Sequence, residues 1–141
     1  MITRELAVAL RDAGIGWHPA EGDRFQLDLP DDVELEAEAE ADVFTVSGMT
    51  IEARQTPSGV DLAFNGTTEW ALDAVTLADA VWLPREDQLR ELLRGTFRSL
   101  TRLEDTFRVE IEIAGVALSF EHPDPAEAYG RALLELISRS H

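Results

Sequence analysis

The chain has 141 residues, no cysteine and a formal net charge of -16. The missing cysteine excludes disulfides, thiolate chemistry and cysteine-based zinc sites. So negative a charge argues against nucleic acid and anionic membrane surfaces, which both need a positive footprint, and leaves solubility or a basic protein partner as its use.

All twelve strongly basic residues are arginine. By size the chain is one domain, residues 1–141, able to bury roughly two-thirds of its unfolded surface. No apolar run reaches about 18 residues, so no membrane-spanning helix is predicted. The opening MITRELAVALRDAG carries charges throughout and has no apolar h-region, so it reads as a cytoplasmic protein without a secretory signal.

Thr3 can cap a helix over Arg4–Ala13, with Leu6, Ala7 and Leu10 on one face and Gly14 just past its end. Trp17-His18-Pro19 forms a loop, because proline pushes His18 out of helical geometry. Phe25, Leu27 and Leu29 then alternate with polar residues in a half-buried strand that Pro30 ends. In Asp31–Asp42, Glu34, Glu36, Glu38 and Glu40 alternate with Val33, Leu35, Ala37 and Ala39. The residue types suit a helix, but period two and unrelieved i,i+4 repulsion favour an extended edge or loop.

Val43–Ser47 and Met49–Thr56 read as strands separated by Gly48. Thr56-Pro57-Ser58-Gly59 has proline second and glycine fourth, a type I turn signature, so Met49–Thr56 and Val60–Phe64 should form a hairpin. Asn65-Gly66 is a second turn signal. Glu69–Val75 is expected to be extended and Thr76–Ala80 a short helical turn. Pro84 in the first turn, Glu86 and Asp87 at the positive end, and Gly95 as the terminator place a second helix over Arg85–Arg94.

Phe97–Leu103 has two readings: a helix running through Gly95, which would align Arg90, Arg94, Arg98 and Arg102, or a strand. The strand is preferred because Gly95 and Thr96 disfavour a helix interior. Phe107–Ile113 alternates cleanly, Ala114-Gly115 turns, and Val116, Leu118 and Phe120 share one face of the next strand. Asp124 caps and Pro125 opens a last helix over Ala126–Ser138. The expected fold is α+β: a single antiparallel sheet of about six to seven strands, built from hairpins, with about three helices packed on it.

The runs FNGTTEWALDAV and WLPREDQLRELL resemble a group of short, uncharacterised bacterial proteins, some of them labelled pilus-assembly protein. The resemblance covers roughly Val60–Leu93, with weaker echoes in RELAVALRDAGIGWHPAEGDRF and PAEAYGRALLELI. It implies no catalytic or cofactor-binding residues. Pilus-assembly ATPases need a glycine-rich phosphate loop with a lysine, and the chain has no lysine.

No nucleophile, base and orienter can be assembled from sequence, and the histidines are only His18, His122 and His141. The carboxylate run lacks the glycine bend of a calcium loop, so neither a metal nor another cofactor is indicated. Trp17, His18, Asn65, Glu69, Trp70 and Trp82 are the candidate ligand-binding residues, since aromatic walls with a few polar groups make ligand sites. Packing in a core is the plainer use of the tryptophans. Glu34, Glu36, Glu38 and Glu40 are the candidate partner-binding residues. The leading reading is a non-enzymatic interaction or regulatory protein for a basic protein partner, inhibitor- or immunity-like by analogy of size and charge. The alternative is a small-molecule-binding domain around the tryptophans. Oligomeric state is not readable.

Overall fold

The computed structural model describes residues 1–29, 42–48, 50–57, 59–64 and 74–140. Among them are three α-helices and nine strands: an α+β fold with antiparallel pairing throughout. The strands divide among three three-stranded sheets where the sequence suggested one. They group into two compact units, Gly16–Leu83 and a discontinuous unit of Met1–Ile15 with Pro84–His141.

The Gly16–Leu83 unit contains two sheets. In one, β1 (Arg24–Leu27) lies between β2 (Phe44–Thr45) and β6 (Ala80–Leu83). In the other, β4 (Gly59–Phe64) lies between β3 (Ile51–Thr56) and β5 (Ala74–Thr76). The predicted hairpin is present: Thr56 faces Gly59, Gly59 takes φ +128°, and the Thr56 hydroxyl donates to the Gly59 carbonyl at 2.8 Å. The two strands before it are shorter than Val43–Ser47 and Met49–Thr56. In β2 only Phe44 and Thr45 pair with β1, while the Ser47 hydroxyl accepts from the Thr50 N–H and turns the chain. Leu77–Asp79 forms the expected helical turn, as a single 3-10 turn. Phe25, Leu27, Leu62, Phe64, Ile51 and Val75 fill one apolar core, with Phe44 and Trp17 packed against it. Burying side chains of this size contributes about 1.5–3 kcal/mol each.

Strand β6 was not expected from sequence. It pairs along its length with β1, from Arg24 against Leu83 to Leu27 against Ala80. Residues 30–41 and 65–73, including the acidic run up to its last residue and the Asn65-Gly66 turn, lie outside the described residues.

The second unit contains all three described α-helices and one sheet. Helix α1 (Arg4–Asp12) is capped by Thr3, whose hydroxyl accepts from the Leu6 N–H, and Gly14 follows at φ +108°. Helix α2 (Glu86–Leu93) begins one residue later than expected. The Gln88 side-chain oxygen accepts from the Arg85 N–H at 2.9 Å, which makes Arg85 the N-cap and leaves Pro84 outside the first turn. Its end also differs. Arg94, not Gly95, takes positive φ (φ 53°, ψ -134°), and Arg94–Thr96 continues as a 3-10 turn.

Strand β7 (Phe97–Arg102) confirms the strand reading of that segment. It pairs with β8 (Phe107–Ile113), which pairs with β9 (Val116–His122) through a two-residue turn. Ala114 and Gly115 both have positive φ (50° and 80°), as a type I′ turn needs. Helix α3 (Pro125–Arg139) is capped by Asp124, which accepts from the Ala126 N–H at 2.9 Å. It packs on β8, β9, α1 and α2 and buries Ala128, Tyr129, Ala132 and Leu133. At its first turn Glu127 is buried, where it accepts from the Thr3 N–H at 2.9 Å.

Candidate functional site

The Trp17 loop is built by Asp23. This carboxylate is only 3% exposed and accepts at 3.0 Å from both the Trp17 Nε1–H and the Ala20 N–H. The Asp23 N–H returns to the Ala20 carbonyl, and two backbone bonds of 2.8 Å, from Gly22 to Val46 and from Val46 to Asp23, bind the loop to the chain beyond β2. The Trp17 indole is thereby held flat against Trp82, with centroids 6.3 Å apart and planes 6° apart. Its other neighbour is Phe25, at 5.5 Å. Strand pairing sets Trp82 beside Phe25. The stack continues through Phe44 and Phe64, each ring 5.5–5.7 Å from the next. Trp17 and Trp82, two of the residues grouped from sequence, stack on one another, and β1–β6 pairing is what brings them together.

His18 is exposed beside Trp17, and the two border a cavity of about 170 Å³ that also touches Arg54, Gln55, Val60 and Leu77. Arg54 is ion-paired with Glu52 at 3.1 Å. Trp82 does not line this cavity, and its Nε1–H has no hydrogen-bond partner among the described residues. Asn65, Glu69 and Trp70, like Glu34, Glu36, Glu38 and Glu40, lie outside the described residues. What is described offers a planar aromatic wall, an imidazole and a guanidinium: elements of recognition. His122 ends β9 half-buried, its Nδ1 accepting from the Asp124 N–H at 2.9 Å, which makes it part of the α3 entry.

The helical unit carries a larger concavity that the sequence did not announce. A groove of about 590 Å³ runs between the C-terminal ends of α1 (Gly14, Ile15), α2 (Leu92, Arg94) and α3 (Leu136, Ile137). The apolar residues at these ends read in sequence as the inward faces of ordinary helices. Only the convergence of three helix ends leaves them lining a groove.

The surface charges follow a consistent pattern. Arg11–Asp12, Arg85–Asp87, Arg98–Glu112, Arg108–Glu121 and Arg139–Glu135 pair at 2.8–3.4 Å on the surface, as does Arg54–Glu52. In these pairs six of the twelve arginines are cancelled locally, and the carboxylate surplus remains. No described helix is long and apolar enough to cross a membrane. Comparison with known proteins gives no family model, no curated protein and no solved structure that matches this chain.

Proposed function

We propose that the protein is a cytoplasmic, non-enzymatic binding protein whose acidic surface engages a basic protein partner. The observation that carries this reading is the pairing of surface arginines with neighbouring carboxylates. With 28 acidic residues against 12 basic ones, each such pair cancels one charge of each sign, so the charge left unpaired is predominantly carboxylate. A field of one sign raises association rates with an oppositely charged partner and rejects anionic ones. The carboxylates of the Asp31–Asp42 run supply the densest charge in the sequence and are assigned to the partner contact.

The test is non-covalent capture with the full chain as bait in a lysate of its source, at low salt. A discrete partner with a basic isoelectric point, released at high salt, is the expected result. A captured partner that is acidic, or whose retention does not depend on salt, overturns the reading.

A second reading, small-molecule binding beside Trp17 and His18, is favoured by the cavity there. At about 170 Å³ it is close to the size of cavities that hold a single aromatic ring. Titration of tryptophan emission with single-ring carboxylates tests it: saturable quenching lost in Trp17→Phe supports it, and unchanged emission rejects it.

A further inference from the structure

We propose that β9 is a self-association edge: two copies of the chain join antiparallel along Val116–His122, making one six-stranded sheet from two three-stranded ones. The two edges of the sheet are unlike. Strand β7 carries the usual protections, with a register shift between Phe97 and Ser99 and arginines at Arg98 and Arg102. Strand β9 carries less: its one acidic side chain, Glu121, is held by Arg108 of its own chain. It has seven residues, no proline, no lysine and no register shift against β8. Among the described residues it pairs only with β8, and no other backbone hydrogen bond reaches it. Such an edge is a template for another strand.

The sequence of β9 is complementary to itself. Centring the dyad on Ser119 is the register that gives all seven residues a partner. Leu118 then faces Phe120 of the second copy, an aliphatic–aromatic pair that stabilises a sheet. Val116, 50% exposed in one copy, faces His122 of the second copy. Glu121, the one charged side chain of the strand, meets Ala117 of the second copy and not another carboxylate; within its own chain it is paired with Arg108.

The helix layer fits as well. Helix α3 lies over both β8 and β9. With strands about 4.8 Å apart, a helix seated between them would stand about 5 Å from the dyad. The two α3 helices would then be about 10 Å apart, an ordinary helix–helix packing distance.

The salt response separates this contact from the proposed partner contact. Two chains of charge -16 repel, so salt should strengthen self-association, whereas it weakens binding to a basic partner. Sedimentation of the parent from about 0.05 M to about 0.5 M NaCl should show a dimer whose dissociation constant falls about tenfold. Amide exchange in β9, and not in β7, should slow with protein concentration. Ser119→Glu and Ser119→Lys, each placing a charge opposite its own copy, should each dimerise more weakly than the parent. Mixed in equal amounts they should form a heterodimer, an outcome that requires both to be folded. A parent that stays monomeric at about 1 mM protein in high salt, or a mixture that associates no better than either variant alone, overturns the proposal.

Discussion

The indole of Trp17 donates to the carboxylate of Asp23 at 3.0 Å, and Asp23 is one of two buried charged residues among the described ones. That bond fixes the plane of Trp17 against Trp82 and closes the loop that carries His18. Asp23→Ala would leave the Trp17 Nε1–H and the Ala20 N–H without their acceptor. Bonds to a charged acceptor contribute about 1.5–3 kcal/mol, so urea unfolding should show a loss of about that size. Asp23→Asn keeps one acceptor oxygen and should lose less. Equal stability of parent and alanine variant would contradict this.

Gly130 sits in the middle of α3 where α1 crosses it. A Cβ built there would lie 2.5 Å from the Leu6 Cδ2. Alanine for glycine inside a helix normally stabilises by about 1 kcal/mol. Here overpacking opposes that gain at about 1–3 kcal/mol, so Gly130→Ala should destabilise on balance. In a Leu6→Ala background the same change should stabilise. Thermal unfolding of the four proteins of this cycle reads the sign directly.

Helix α2 ends in a backbone conformation that suits glycine, yet arginine occupies it. Arg94→Gly should relieve strain of about 1–3 kcal/mol, less the entropic cost of glycine. The expected net gain is on the order of 1 kcal/mol. Gly95 lacks positive φ, and nothing lies within 4 Å of a Cβ placed there. Gly95→Ala should therefore stabilise by about 0.4–1 kcal/mol, the reverse of what a helix-terminating glycine in the left-handed region would give.

These two neighbours show what sequence could and could not reveal. Thr3, Asp124-Pro125 and Thr56-Pro57-Ser58-Gly59 were legible because capping and turn chemistry act within a few residues. Phe107–Ile113 was legible because its period is unambiguous. Gly95 misled because glycine marks the neighbourhood of a helix end without saying which residue takes the left-handed conformation. Strand β6 was missed because Ala80-Val81-Trp82-Leu83 is a short apolar run with no alternation, and its identity comes from pairing with the distant β1. The division into three sheets rests on the same kind of non-local pairing. Trp17 and Trp82 were recognised as a group, but Asp23, which orients Trp17, looked like any surface acid. Glu127 was equally silent, since its partner Thr3 is separated from it by most of the chain.

Tyr129 is the only tyrosine, so its ionisation can be followed alone. Burial raises its pKa above the ordinary value near 10, and the Arg90 guanidinium opposes this in part. The folded-state value thus exceeds the unfolded one. The stability linked to the neutral phenol is fully present below about pH 10 and is lost as pH rises through the folded pKa. Phenolate absorbance should appear at higher pH in buffer than in urea. Tyr129→Phe should lose less stability than the parent between neutral and strongly alkaline pH. Coincident titrations in buffer and urea would contradict the assignment.

We propose that the acidic run serves association and not folding. Replacing Glu34, Glu36, Glu38 and Glu40 together with glutamine should leave stability within about 1 kcal/mol of the parent at about 0.15 M salt, since exposed like charges cost only tenths each. The most direct measurement is the association rate of parent and variant with the captured partner across a salt series. The parent rate should fall steeply with salt, and the variant rate should start lower and change little. Equal rates with equal salt dependence would contradict it.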